Sequence, residues 1–180
     1  AEVDIDPMPV VNTLSPAYGW RVIDGFGYYH GILRRRLAVK RQLIPDNVSN
    51  SFISAYDQGL GRSFWYNAKG EINRVLETML LFPKDRNPAF WRGLGVALTK
   101  VRGTSYETIK TVREAASRSN LSNLKYGALM ALVSRKKAGT ISVDSNATVL
   151  YLVPNFNDIV GRLEQLEKEE NANYLTTIKA

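Results

Sequence analysis

The chain contains no cysteine and one histidine, His30. The first absence excludes disulfides, iron–sulfur clusters and thiolate zinc sites. The second rules out a histidine-built metal centre, and no carboxylate sits at a ligand spacing from His30 on its own helix. No metal and no cofactor is therefore expected. Long apolar runs are missing too: stretches such as residues 147–154 fall far short of the roughly 20 residues that span a bilayer. No transmembrane segment is expected, and the protein reads as soluble or peripheral to a membrane. The first residue is Ala and no signal-peptide core follows it, so a leader or initiator Met was removed or the chain is a fragment. Nothing in the cysteine count separates one compartment from another.

Acidic residues are scarce through the middle of the chain. The formal net charge of +7 understates this, because Glu2, Asp4 and Asp6 cluster at the start and five acids fall in residues 158–180. Between residues 9 and 157 there are 21 Lys and Arg against 9 Asp and Glu, an excess of 12. Such a surface favours an acidic protein, an anionic lipid surface or phosphate as its partner. The bland alternative is a solvated helical surface that is simply basic.

Glycine supplies the strongest pattern. Gly25, Gly59, Gly93, Gly127 and Gly161 share one register of 34 residues. Their neighbourhoods repeat as Asp24-Gly25-Phe26-Gly27, Gln58-Gly59-Leu60-Gly61, Arg92-Gly93-Leu94-Gly95 and Tyr126-Gly127-Ala128-Leu129. A period of 34 is the length of a tetratricopeptide helix pair, in which a small residue lets two helices pack closely. Each first helix would also end at a glycine ten to twelve residues later, pairing Gly59 with Gly70, Gly93 with Gly103 and Gly127 with Gly139. Pro83 falls where a tetratricopeptide unit ends, 24 residues after Gly59. Other consensus slots fail, since Glu71 and Ser105 stand where small residues belong. The expectation is an all-α fold of antiparallel helix pairs stacked as a short solenoid, tetratricopeptide-like without being a consensus member.

Along the chain, Pro7, Pro9 and Pro16 make residues 1–16 read as an extended arm. Ser15-Pro16 opens the first helix. Asp46 to Ser51 opens the second, with Phe52, Ile53, Tyr56, Leu60, Phe64 and Trp65 at helical spacing until Gly70. A return helix over residues 71–82 ends at Pro83, and Asn87-Pro88 starts the next pair. Gly103 closes that first helix and Ser105 caps the following one. Asn120 or Asn123 caps the helix that stops at Gly139. Ser145 starts a short helix to Val153, and a last helix runs from Phe156 to about Glu170. Residues 17–170 form one helical-repeat domain and residues 171–180 a tail.

Few residues invite chemistry. His30 with Asp24 as orienting partner is conceivable as an acid–base pair if the helix bends, but no nucleophile motif accompanies it. The basic run Arg34-Arg35-Arg36 with Lys40 and Arg41 suits a wrapped anion, a phosphate or a lipid headgroup. The helix dipole alone would also place cations at a helix end, as with Arg135-Lys136-Lys137. Nucleic acid is the weaker partner, because no recognised nucleic-acid signature is present. Trp65 and Trp91 read chiefly as core, with an exposed subset of aromatics available to anchor a partner.

Two stretches resemble a known family. They are Ile23-Asp24-Gly25-Phe26-Gly27-Tyr28-Tyr29-His30-Gly31, and the segment from Asp57-Gln58-Gly59-Leu60-Gly61-Arg62-Ser63-Phe64-Trp65 through Phe82-Pro83 to Phe90-Trp91-Arg92-Gly93-Leu94-Gly95-Val96-Ala97. Both are similar to an uncharacterised bacterial family, the domain of unknown function DUF1702, known from enediyne polyketide biosynthesis clusters. The resemblance spans roughly residues 17–138 and the C-terminal half of typical members. It implies a bacterial cytoplasmic or periplasmic protein and offers no catalytic residue. The function expected is a non-enzymatic interaction or structural subunit of a larger assembly, docking by its basic surface on an acidic protein or a membrane surface. The alternatives are an accessory enzyme of polyketide metabolism, and nucleic-acid binding.

Overall fold

A computed structural model of the chain describes residues 5–101, 104–159, 161, 162 and 165. Every regular element among them is helical, so the fold is all-α. The helices are α1 (Met8–Thr13), α2 (Pro16–Leu33), α3 (Ile53–Asn67), α4 (Ile72–Met79), α5 (Asn87–Lys100), α6 (Tyr106–Ala115), α7 (Arg118–Lys137) and α8 (Val143–Leu152). A π-helical turn, Arg36–Lys40, and 3-10 turns at Asn50–Phe52 and Lys84–Arg86 connect them.

Four of these helices lie side by side: α2 packs on α3, α3 on α5 and α5 on α7. Glycine makes each contact. A Cβ placed on Gly59 would stand 1.8 Å from the Asp24 carbonyl oxygen and 2.7 Å from the Tyr28 nitrogen. On Gly93 it would stand 2.0 Å from the Gln58 oxygen and 2.5 Å from the Arg62 nitrogen, and on Gly127 1.9 Å from the Arg92 oxygen. The opposite flanks use a second set: Gly27 abuts Tyr56, Gly61 abuts Phe90 and Gly95 abuts Leu124 and Ala128. Backbone therefore lies on backbone, closer than the ~8–10 Å axis separation of helices held apart by side chains. Residue numbers rise together across each contact, as in Gly27 with Tyr56 and Gly31 with Ser63, so neighbouring helices are parallel.

The five-glycine register is thus only partly used. Gly25 and Gly161 meet nothing within 4 Å. Gly25 lies on the flank of α2 that faces away from α3. Gly161 lies beyond α7, whose forward flank carries Leu129 at the place occupied by Gly27, Gly61 and Gly95 in the earlier helices. A leucine there keeps the next backbone at a distance.

Several boundaries differ from expectation. The expected extended arm contains α1, whose Val11 packs against α2 at Gly19, 3.1 Å from the position a Cβ would take there. Proline is tolerated because Pro7 and Pro9 fall in the first turn, where a missing N–H breaks no bond. Regular helix pairing also fails as a description of the return segments. The main packing joins successive parallel helices, and α3 meets α4 far less than it meets α2 or α5. Between α2 and α3 the chain returns by the π-turn and irregular backbone. The return helix α4 stops at Met79, ahead of Pro83, which disfavours helix in the residue before it. Ser117, not Asn120 or Asn123, caps α7: its hydroxyl accepts the Asn120 amide, and both asparagines lie inside the helix. The start of α8 is Val143 rather than Ser145.

Other signals fall as read. Gly70 and Gly139 take left-handed φ values of +83° and +64° after α3 and α7, and Ser105 accepts the Thr108 amide at the start of α6. The last helix opens at Phe156 as expected, while Gly103, residues 1–4, the end of that helix towards Glu170 and the tail 171–180 lie outside the described residues. The core gathers along the row, with Tyr56, Leu60, Phe90, Leu94, Leu98 and Leu124 fully buried.

The two classes of glycine predict opposite outcomes for one substitution. Gly25→Ala should raise stability by about 0.5–1 kcal/mol, the helix-propensity difference. Gly59→Ala should lower it by at least ~3 kcal/mol, because two backbones must separate. Urea unfolding of both variants checks this.

Candidate functional site

The residues immediately before the register glycines, Asp24, Gln58, Arg92 and Tyr126, share the 34-residue spacing and line one face of the helix row. Two adjoining cavities open there, of about 260 and about 440 Å³. Trp20 from α2, Gln58 from α3 and Met130 from α7 line both, which makes the two cavities one groove. Gly25 lines the smaller one. Freed from packing against a helix, it leaves the groove wall open where a side chain would otherwise stand.

Asp24 anchors the floor. Its Oδ1 accepts a 3.0 Å hydrogen bond from Gln58 Nε2, and its Oδ2 pairs with Arg62 Nη2 at 2.9 Å. The Arg62 guanidinium lies 4.5 Å above the Tyr28 ring, and its Nε is buried without a hydrogen-bond partner. Arg21 sits against the rings of Tyr18 and Trp20, at 5.2 and 5.5 Å. Arg92 donates to the Ser54 hydroxyl and, at 3.5 Å, to Asn123 Oδ1. Arg135 donates to the Lys100 carbonyl at 3.0 Å, which joins the end of α7 to the end of α5.

Positive charge dominates the lining: Arg21, Arg62, Arg92 and Lys100 face one carboxylate, Asp24. Burial pushes the Lys100 ammonium below its ordinary pKa, and the charges of Arg62, Arg135 and Arg21 add to the effect while Asp24 opposes it. Burial likewise lowers Arg92. Asp24 is raised by burial, which outweighs the lowering by Arg62, Gln58 and Lys100. Cations thus crowd around Lys100, where a further anion would relieve them.

Sequence reasoning pointed partly elsewhere. His30 is buried, with Nδ1 3.0 Å from the Tyr56 hydroxyl and its ring centroid 4.2 Å from that of Phe26. Burial pushes the Tyr56 phenol pKa up. Asp24 and His30 are not brought together: α2 runs unbroken past both, and six residues on a helix separate them by about 9 Å along the axis and ~240° around it. Arg34, Arg35 and Arg36 are spread over the end of α2 and the π-turn. Together with Lys40 and Arg41, which are exposed, they lie at the opposite end of α2 from its groove residues. Trp65 and Trp91 are 4% and 2% exposed. Trp65 lines a separate cavity of about 370 Å³ with Tyr66, Lys69 and Gly70; neither indole faces the groove. Pro83 serves the turn before α5.

Trp20 reads in the sequence, with Trp65 and Trp91, as a large amphipathic aromatic, whereas the groove cations Arg21, Arg62, Arg92 and Lys100 are not singled out there as a site. A signal existed for Arg92, which precedes a register glycine as Asp24 does. A second buried pair, Asp57 with Arg86, ties α3 to the turn before α5. Arg86 Nε donates to Asp57 Oδ2 at 2.9 Å while its plane stacks on Phe82 and Phe90.

These features define an all-helical protein built on glycine-contacted parallel helices with a cationic inner groove. Among the described residues no helix is long and apolar enough to cross a membrane, and no group of His, Asp and Glu could hold a metal ion. The chain belongs to the family described as protein of unknown function (DUF1702), whose model matches residues 3–169. That match takes in nearly the whole chain, more than the stretch over which its motifs resemble the family. Comparison with curated proteins and with solved structures found no match.

The Asp24–Arg62 pair sets a pH test. Asp24 is raised when folded, so its contribution to stability is complete below the unfolded carboxylate pKa and is lost as pH rises through the folded value. Removing Arg62 takes away the largest opposing charge and enlarges that loss. Arg62→Met should therefore lose stability relative to wild type as pH rises from 4 to 7, by ~3 kcal/mol at pH 7. Adding Asp24→Asn should flatten the difference. Urea titrations across that range measure it.

Proposed function

We propose that the protein is a non-enzymatic binding module that takes an acidic segment of a partner protein into the inner groove. The observation that supports this reading most is the lining itself: four cations, two of them pressed below their ordinary pKa by burial, stand against one carboxylate. Carboxylates of a partner would relieve that crowding and gain charge-assisted hydrogen bonds. Aromatic and apolar side chains, Trp20, Phe52, Tyr126 and Met130, stand with Arg92 in the larger cavity. They suit a peptide that brings apolar side chains as well as acids, and interfaces draw most of their affinity from such anchors. The basic excess through residues 9–157 would steer an acidic partner towards the groove. The protein then serves as an interaction subunit of a larger assembly, and its patterned glycines hold the shape of the groove.

Fluorescence anisotropy with a labelled Glu-rich peptide containing Leu and Phe tests the reading. Binding should be saturable and weaken with salt. Arg21→Glu should weaken it about tenfold or more, as reversal of a contact charge does. Gly25→Leu should weaken it similarly with the fold intact, because the new side chain enters the groove rather than a helix contact. Arg36→Glu, at the far end of α2, should change affinity by less than about twofold. Failure to bind, or a larger loss from Arg36→Glu than from Arg21→Glu, would overturn the proposal. Equal binding to anionic vesicles without peptide would move the partner to a membrane.

A further inference from the structure

The end of α2 holds a further cavity, apart from the groove and from the one beside Trp65. After Leu33 the regular helix stops, and the chain winds through the π-turn Arg36–Lys40, closed by the Arg41 amide on the Arg36 carbonyl at 3.2 Å. Gln42 then takes a left-handed φ of +53°. Both conformations are uncommon for ordinary residues; a left-handed non-glycine costs about 1–2 kcal/mol, and π-turns concentrate at functional sites. The excursion is held firmly. Ala38 and Val39 are each 1% exposed, the Gln42 side chain donates to the Leu81 carbonyl, and the Leu43 amide bonds Leu37.

This folded-back segment lines a half-open cavity of about 420 Å³, within the range of pockets for small molecules, roughly 300–1,000 Å³. The wall is mainly apolar: Leu37, Ala38, Leu43, Ile44 and Pro45. Four polar residues complete it: His30, Arg34, Asp46 and Asn47. Arg34 and Asp46 make the lining formally neutral, in contrast to the groove. The Tyr56 hydroxyl on Nδ1 fixes the His30 ring. Asn47 donates to Asp6 at 3.1 Å, while its Oδ1 is buried with no hydrogen-bond partner.

We propose that this cavity binds an uncharged, mainly apolar small molecule. The apolar walls hold its body, and the opposite charges of Arg34 and Asp46 leave no net charge in the lining to attract an ionised ligand.

His30 is the only histidine in the chain, so its imidazole resonances report on this cavity without assignment ambiguity. Benzyl alcohol, benzoate and benzylamine form a probe series of one shape and three charges. Titration of the full chain with benzyl alcohol should shift the His30 signals saturably, with benzoate and benzylamine at least several-fold weaker. Leu43 is half exposed, so Leu43→Trp can fill the cavity while the protein stays folded, and it should abolish the shift. Circular dichroism confirms that the variant is folded. No saturable shift, equal binding of a charged probe, or unchanged binding to folded Leu43→Trp would overturn the proposal.

Discussion

Everything in this fold depends on helix backbones that touch. Where two helices meet through side chains, a substitution changes the fit; where carbonyl oxygens face a bare Cα, any side chain is an obstruction. Gly27, Gly59, Gly61, Gly93, Gly95 and Gly127 all occupy such places. Each lowers local helix propensity by about 1 kcal/mol relative to Ala, and the fold recovers this through close backbone approach and through the packing it permits. The buried polar residues follow from the same closeness. Asp24 can reach both Gln58 and Arg62 on the next helix because no Cβ holds α2 and α3 apart.

The groove is a product of that geometry. Parallel helices spaced one unit apart bring residues 34 positions apart onto one face, so Asp24, Gln58, Arg92 and Tyr126 become a lining without being neighbours in sequence. Gly25 shows how one element can serve two purposes. It keeps the register of the packing glycines yet contacts no helix, and it opens the wall of the groove. The cavity beside His30 has another origin, an interruption of helix α2, and its neutral lining sets it apart chemically from the cationic groove.

Much of this was legible in the sequence. The helical class and the long helices followed from periodicity and from the glycine register, and Gly70, Gly139 and Ser105 ended or opened helices where their conformational preferences placed them. The partners of the glycines were not legible. A 34-residue spacing says that contacts repeat, and it leaves open whether a glycine faces its own return helix or the next long one. Leu129 was the readable clue that the row changes character after α7. The basic run at Arg34–Arg36 drew notice because it is contiguous, whereas the groove cations Arg21, Arg62, Arg92 and Lys100 come from three helices and form no run. The π-turn left no periodic trace, since Leu37, Ala38 and Val39 read equally well as the end of an ordinary helix.

The central claim is that backbone meets backbone at the packing glycines. Nuclear Overhauser contacts between the Hα protons of one glycine and the amide of the facing helix test it most directly. Strong cross-peaks are predicted for Gly59 with Tyr28, Gly93 with Arg62 and Gly95 with Ala128, and none from Gly25 to an amide of another long helix. Weak or absent cross-peaks at the first three, in a protein that is folded and helical, would contradict the account.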